Sequence, residues 1–181
     1  YAMNSQTGDG YYDNIHVLPS LCTNGKFETS IGGWTSVNGT LTNAGTGQST
    51  AHSGQLNGKF TTSDTSSSLT FSKTMPFSSQ PVLWHRSPYY LATIYVKFVL
   101  GGAQIVATLT VTDTNSTVIA TLSRGLVAST NYTKMSVLFA SDNTGGSTDH
   151  DFKIAFAGAA SDVIHVDDFY IVQLHNGPVV Y

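Results

Sequence analysis

The chain has 181 residues, enough for one β domain with a real core and too few for a second complete one. Only 10% of the residues are charged against 40% hydrophobic, so solubility rests on hydroxyls and amides. A formal net charge of -3 with no Lys/Arg cluster leaves nothing to neutralise a phosphate backbone, which excludes nucleic acid as a natural partner; no apolar run approaches the ~20 residues of a membrane helix, which excludes insertion by that route.

The first legible stretch is YYDNIHVLPSLCTNGKFE, residues 11–28. It reads as a closing strand running into an opening one, and the far end repeats it as HVDDFYIVQLHNGPVV, residues 165–180. Setting Asp13 against Asp167 aligns Asn14 with Asp168, Ile15 with Phe169, His16 with Tyr170 and Val17 with Ile171, and each stretch then reaches an Asn-Gly pair. The chain also starts at Tyr1 rather than Met. Residues 1–19 are therefore expected to be the closing strand of a preceding unit or a strand donated to a neighbour. Residues 20–175 form the domain, and 176–181 start the next unit or form a tail. Cys22 is the only cysteine, so no intrachain disulfide is possible, and it reads as a small buried hydrophobe.

In the first half the strand candidates are LCTNGKFE (21–28), WTSV (34–37), GTLTN (39–43), QLNGKF (55–60) and SSLTFSKTM (67–75), with the polar run TTSDTSSS (61–68) as a loop or edge. From residue 88 period-two alternation dominates. In YYLATIYVKFVLGG, Tyr90, Ala92, Ile94, Val96, Phe98 and Leu100 share one face; AQIVATLTVTD (103–113) alternates likewise. Further strands are expected at 118–122, 133–140, 151–157 and 163–172, separated by Gly, Asn, Asp and Ser clusters. No segment carries a helical apolar stripe. About ten short, turn-punctuated strands predict an all-β, two-sheet antiparallel β-sandwich of the jelly-roll kind.

On this scaffold the motifs NGKFE (24–28), GGW (32–34), SGQLNGKF (53–60) and VDDFYI (166–171) resemble carbohydrate-binding modules of the family 4/9 type, galactose-binding-like jelly rolls. The resemblance covers about residues 20–175. Such modules are appended to xylanases and cellulases, and look-alike domains recur in bacterial surface proteins and phage fibres. The resemblance implies a structural role for Trp34 and a structural calcium helped by Glu28 and Asp167, with Lys26 offering only its carbonyl. The residues themselves allow either reading of Asp167. On the face of Phe169 and Ile171 it must find partners or a cation, and backbone N–H groups would serve without metal.

Catalytic apparatus is not legible. Glycoside hydrolysis needs facing carboxylates, and a single Glu with Asp residues mostly in turns offers no pair. The six His show no metal-ligand spacing, and DHD (149–151) reads as the polar lead-in to a strand. The sequons at Asn38, Asn115 and Asn131 would matter only in a eukaryotic secretory route. Binding is better supported. VLWHRSPYY (82–90) gathers Trp84, His85, Arg86, Tyr89 and Tyr90, rings and donors that suit a glycan groove. The alternative places Trp84 and Tyr90 in core or interface and Arg86 over a sheet edge. The expectation is a non-catalytic structural and adhesive module of an extracellular assembly, such as a phage tail fibre or capsid-surface protein. Its partners would be copies of itself or neighbouring repeats, and a cell-surface or polysaccharide glycan. The alternatives are a carbohydrate-binding module of a polysaccharide-degrading enzyme and a filament subunit that assembles by N-terminal strand donation.

Overall fold

A computed structural model describes residues 20–22, 24–44, 51–75, 89–102, 104–113, 115–141 and 149–174. Within them lie ten strands: β1 (Trp34–Val37), β2 (Gly39–Asn43), β3 (Gly58–Thr62), β4 (Ser67–Thr74), β5 (Tyr89–Leu100), β6 (Gln104–Thr112), β7 (Val118–Val127), β8 (Thr133–Ala140), β9 (Asp149–Ala157) and β10 (Val163–Gln173). They form two five-stranded sheets, β1-β4-β9-β6-β7 and β2-β3-β10-β5-β8, with every pairing antiparallel. This is the expected all-β jelly-roll sandwich.

The alternation seen in the sequence builds the core. Tyr90, Ala92, Ile94, Val96 and Phe98 of β5 are buried against Ile105, Ala107, Leu109 and Val111 of β6 and Phe152, Ile154 and Phe156 of β9. Leu100 departs from expectation at 65% exposed. The ladder slips between Val163 and Ile164, so Val163 faces Leu100 while Ile164 faces Phe98, and the extra residue turns the strand end outward. β7 runs five residues beyond the expected 122, because backbone pairing with β6 continues through Ser123, Arg124 and Gly125 after the apolar pattern stops.

β1 and β2 are one run that changes sheet at Asn38, whose φ is 52°. Its carbonyl accepts from Ser63 N (2.8 Å) and from the Ser67 hydroxyl, tying the switch to the β3–β4 turn. That turn is only residues 63–66, because Thr61 and Thr62 belong to β3 and Ser67 and Ser68 to β4.

The expected strand over 21–28 is instead an irregular segment lying on β10. Leu21 N donates to Ile171 O (3.0 Å), Phe169 N donates to Gly25 O (2.9 Å), and Phe27 N closes a turn on Asn24 O (3.3 Å). A side chain at Gly25 would run into the Phe169 carbonyl, so only glycine allows this approach. Phe27, at φ 56°, is driven fully into the core. There it meets Trp34 (ring centroids 5.5 Å), which also packs on Phe71 (5.4 Å) and Phe169 (5.1 Å). Trp34 is thus part of the core wall. Cys22 is buried, and burial pushes its thiol pKa up to about 11, the inert state of a packed cysteine.

Candidate functional site

The outer faces of the two sheets differ in chemistry. On the first sheet small hydroxyls satisfy each other, Thr108 with Ser123 (2.9 Å) and Thr110 with Thr121 (3.4 Å), while Ser72 donates to Asp151 (2.5 Å). His150, between Asp149 and Asp151, turns inward beside Phe139 (5.7 Å), as a strand lead-in would. On the second sheet the outer row of β5 carries Tyr89, Thr93, Tyr95 and Lys97, and β10 adds His165 and Asp167.

Asp167 reaches that face through a bulge. Asp167 stands opposite Tyr95 and Tyr170 opposite Thr93, so two residues of β10 face one of β5. Asp168 absorbs the distortion at φ 46°. Ile164 and Val166 face the core before the bulge, and Phe169 and Ile171 after it. Asp167 was expected on the face of Phe169 and Ile171; the slip puts it on the opposite one. It is nonetheless fully buried, because the loop 51–57 lies over it. His52 N (2.8 Å) and Ser53 N (3.2 Å) donate to its Oδ2, and Asp168 N (2.7 Å) donates to its Oδ1. Burial raises its pKa to about 6, against the lowering pull of those N–H groups.

Two further carboxylates hold the same loop. Glu28 Oε1 accepts from Gln55 N (2.9 Å) and Leu56 N (3.2 Å), with Gly54 at φ 69° packed on it. Asp168 meets His52 Nδ1 (2.6 Å) and accepts from the Ser53 hydroxyl (2.7 Å). Ser53, His52 and Asp168 therefore assemble without a relay: both partners bond the carboxylate, and the hydroxyl faces no base. The two candidate metal ligands, Glu28 and Asp167, do converge on one loop, but backbone N–H groups donate to both. Among the described residues no three His, Cys, Asp or Glu side chains come together as a metal site would need. This donor set fits a hydrogen-bonded tether better than a calcium cage, which wants several oxygens.

The tethered loop delivers His52 onto the face. Its ring stacks on Tyr95 (centroids 3.6 Å, 21°) and meets Tyr132, from the β7–β8 connection, edge-on at 5.4 Å. Asn57 Nδ2 donates to the Tyr132 hydroxyl (2.7 Å), and Lys97 Nζ lies 4.5 Å from the Tyr132 ring centre. Burial raises the Tyr132 pKa and lowers that of Lys97. His165 sits in register between Lys59 of β3 and Lys97 of β5; burial and then the two lysines depress its pKa to about 4. Its Nδ1 is buried without a hydrogen-bond partner. A cavity of about 330 Å³ opens at the seam between residues 20–29 and the bulge, where Cys22, Glu28 and Asp168 line it.

Of the sequence candidates for ligand binding, Tyr89 is 45% exposed and heads the same outer row as Tyr95, six residues or about 20 Å along the strand. Tyr90 points the other way, fully buried and stacked on Phe139 (5.5 Å, 21°). A ring without exposed surface has no face to offer a sugar, so the core alternative describes it. Trp84 and Arg86 lie outside the described residues. His52, Tyr95, Tyr132 and the Lys59–His165–Lys97 row were not among the binding candidates legible in the sequence. Tyr95 and Lys97 were visible as the polar alternates of β5; the rest depend on register and on contacts across more than a hundred residues.

No protein-family model matches the chain, and no curated protein matches it in sequence. Solved structures do, at the level of fold. TmCBM61, determined in complex with beta-1,4-galactotriose, superposes with a TM-score of 0.64 at 17% identity, covering 87% of this chain and 100% of that one. The CBM22-1 xylan-binding domain from Paenibacillus barcinonensis Xyn10C gives 0.55 at 19% identity, covering 78% and 85%. The enzymatically active domain of tailspike protein 4 from bacteriophage CBA120 gives 0.57 at 12% identity, covering 86% of this chain but only 21% of that one. The fold is that of β-sandwich carbohydrate-binding modules, and these likenesses specify no family 4/9 membership.

Proposed function

We propose that this domain is a non-catalytic glycan-binding module whose ligand lies on the outer face of the second sheet, along the row from Tyr89 to Lys97. The observation that carries this reading is the contrast between the faces. One sheet presents mostly short hydroxyls bonded to one another or to Asp151, with Lys153 among them; the other gathers the rings of Tyr95, His52 and Tyr132 with Asn57, Lys97 and His165 within a few contacts of one another. Rings with polar edges stack on sugar faces while amides and ammonium groups meet hydroxyls. Likeness to modules solved with galactotriose or described as xylan-binding supports the class. Trp84 and Arg86, just ahead of Tyr89, are proposed to extend the same site. Affinity electrophoresis against a panel of soluble polysaccharides tests it. Retardation that Tyr89→Ala and Tyr95→Ala each reduce is expected, and a tenfold loss would correspond to about 1.4 kcal/mol. Binding untouched by both variants would move the site elsewhere.

A second reading, a structural and adhesive module of an extracellular or virion-surface assembly such as a phage tail fibre, draws support from the tailspike likeness. Copies arrayed along a fibre would multiply modest single-site affinity. Sedimentation of the chain with and without residues 1–19 tests the strand-donation form of it: assembly that survives the deletion overturns that form. Calcium at Glu28 and Asp167 is proposed only as an alternative fastener of loop 51–57, and the chelation experiment below decides between the two.

A further inference from the structure

The second sheet's outer face concentrates positive charge in a chain that is otherwise poor in it. Lys59, Lys97 and Lys134 are three of only eight Lys and Arg residues, in a molecule of net charge -3. Register places them together: Lys59, His165 and Lys97 form one rung across β3, β10 and β5, and Lys134 of β8 stands opposite Tyr95 on the next. Like charges set around one cross-strand position destabilise a sheet unless a counter-charge meets them. Two of the lysines, Lys59 and Lys134, are left without a carboxylate among the described residues. Asp167 and Asp168 are engaged with loop 51–57. Lys59 and Lys134 are exposed. Beneath them the Nδ1 of His165, a residue only 5% exposed, has no hydrogen-bond partner. A face that holds Lys59 and Lys134 exposed and without carboxylate partners is suited to an anion.

Resting on the glycan-binding reading above, we propose that the ligand is an acidic polysaccharide bearing uronic-acid carboxylates, received between Lys59 and Lys134 with its ring near Tyr95 and His52. A few dispersed cations on a molecule of net negative charge suit about one carboxylate per sugar. A densely sulfated chain would meet repulsion from the rest of the surface.

The experiment is titration calorimetry of the whole chain with oligogalacturonate, neutral galacto-oligosaccharide and heparin oligosaccharide, at low and physiological salt. Oligogalacturonate is expected to bind tightest and to weaken as salt rises. Lys59→Gln and Lys134→Gln are each expected to cost about threefold and the double variant about tenfold, the range for exposed charge contacts. Lys153→Gln, exposed on the other sheet's outer face, should change nothing. Neutral oligosaccharide bound as tightly, with no effect of the lysine variants, would overturn the acidic ligand and leave glycan binding standing. Heparin bound more tightly than oligogalacturonate would overturn the uronate assignment. Absence of binding to all three, and to the polysaccharide panel, would remove the glycan reading itself.

Discussion

His165 and Asp167, two residues apart on β10 and both buried, titrate in opposite senses, and their separation by mutation tests the account of the face. The His165 pKa is depressed from 6.5 to about 4. The unfolded chain takes up its proton near 6.5 while the fold refuses it, so stability falls as pH drops from 6.5 toward 4. At 1.36 kcal/mol per unit this shift amounts to about 3 kcal/mol. Asp167 is raised from 3.8 to about 6. The fold keeps that proton after the unfolded chain has lost it, so stability falls as pH rises from 3.8 toward 6, again by about 3 kcal/mol. Between pH 4 and 6 the two slopes oppose each other, and the native protein is expected to be nearly indifferent to pH there. Urea unfolding, followed by tryptophan fluorescence with chelator present, should show a flat midpoint for the native chain. Asp167→Asn should lose roughly 3 kcal/mol between pH 6.5 and 4, and His165→Gln should gain a similar amount between pH 6 and 4. Variants that both slope the same way, or that keep the native profile, would refute the assignment of opposed buried groups to this strand.

Other consequences are simpler to check. Gly25→Ala forces a methyl group into the Phe169 carbonyl and is expected to cost about 3 kcal/mol or more in urea unfolding; a loss below ~1 kcal/mol would mean that the 21–28 segment can lift off β10. Phe27→Ala empties a fully buried ring site against Trp34, with an expected loss of about 3–5 kcal/mol in the same assay. Chelation should leave the thermal midpoint within about 1 °C, because N–H donors already face Asp167; a fall of about 3 °C or more, worth ~1 kcal/mol, would reveal calcium.

What was legible in the sequence was whatever obeys a fixed period. The polar and apolar alternates of β5 as far as Phe98, and those of β6, were sorted to the correct faces from spacing alone, β8 and β9 were placed as strands, and the sandwich followed. The pattern misled where the backbone leaves that period. At V-D-D-F-Y the bulge consumes one residue, and Asp167 lands on the face opposite the one its spacing from Phe169 implied. The adjacent aspartates were the available signal, since an unbroken strand cannot send both to one face. The 21–28 segment looked extended because it is apolar and short, yet Asn24-Gly25-Lys26 turns it against β10. The binding face was hardest to read. His52 and Asp168 meet across 116 residues, and nothing local in the stretch STAHSGQ around His52 announces that a loop will be pinned there by three carboxylates.

The seam between residues 20–28 and β10 also fixes how the domain would carry a mechanical load. Leu21 bonds to Ile171, three residues before Leu174, which itself bonds to Tyr89. Tension applied at residues 20 and 174 would therefore act across about 10 Å of chain. It would open the Leu21–Ile171 bond and then the Gly25–Phe169 contact in sequence, rather than shear the ten-stranded sandwich at once. The seam would yield first and the sheets would stay intact, so the outer face of the second sheet could keep hold of its ligand while the tether around it lengthened.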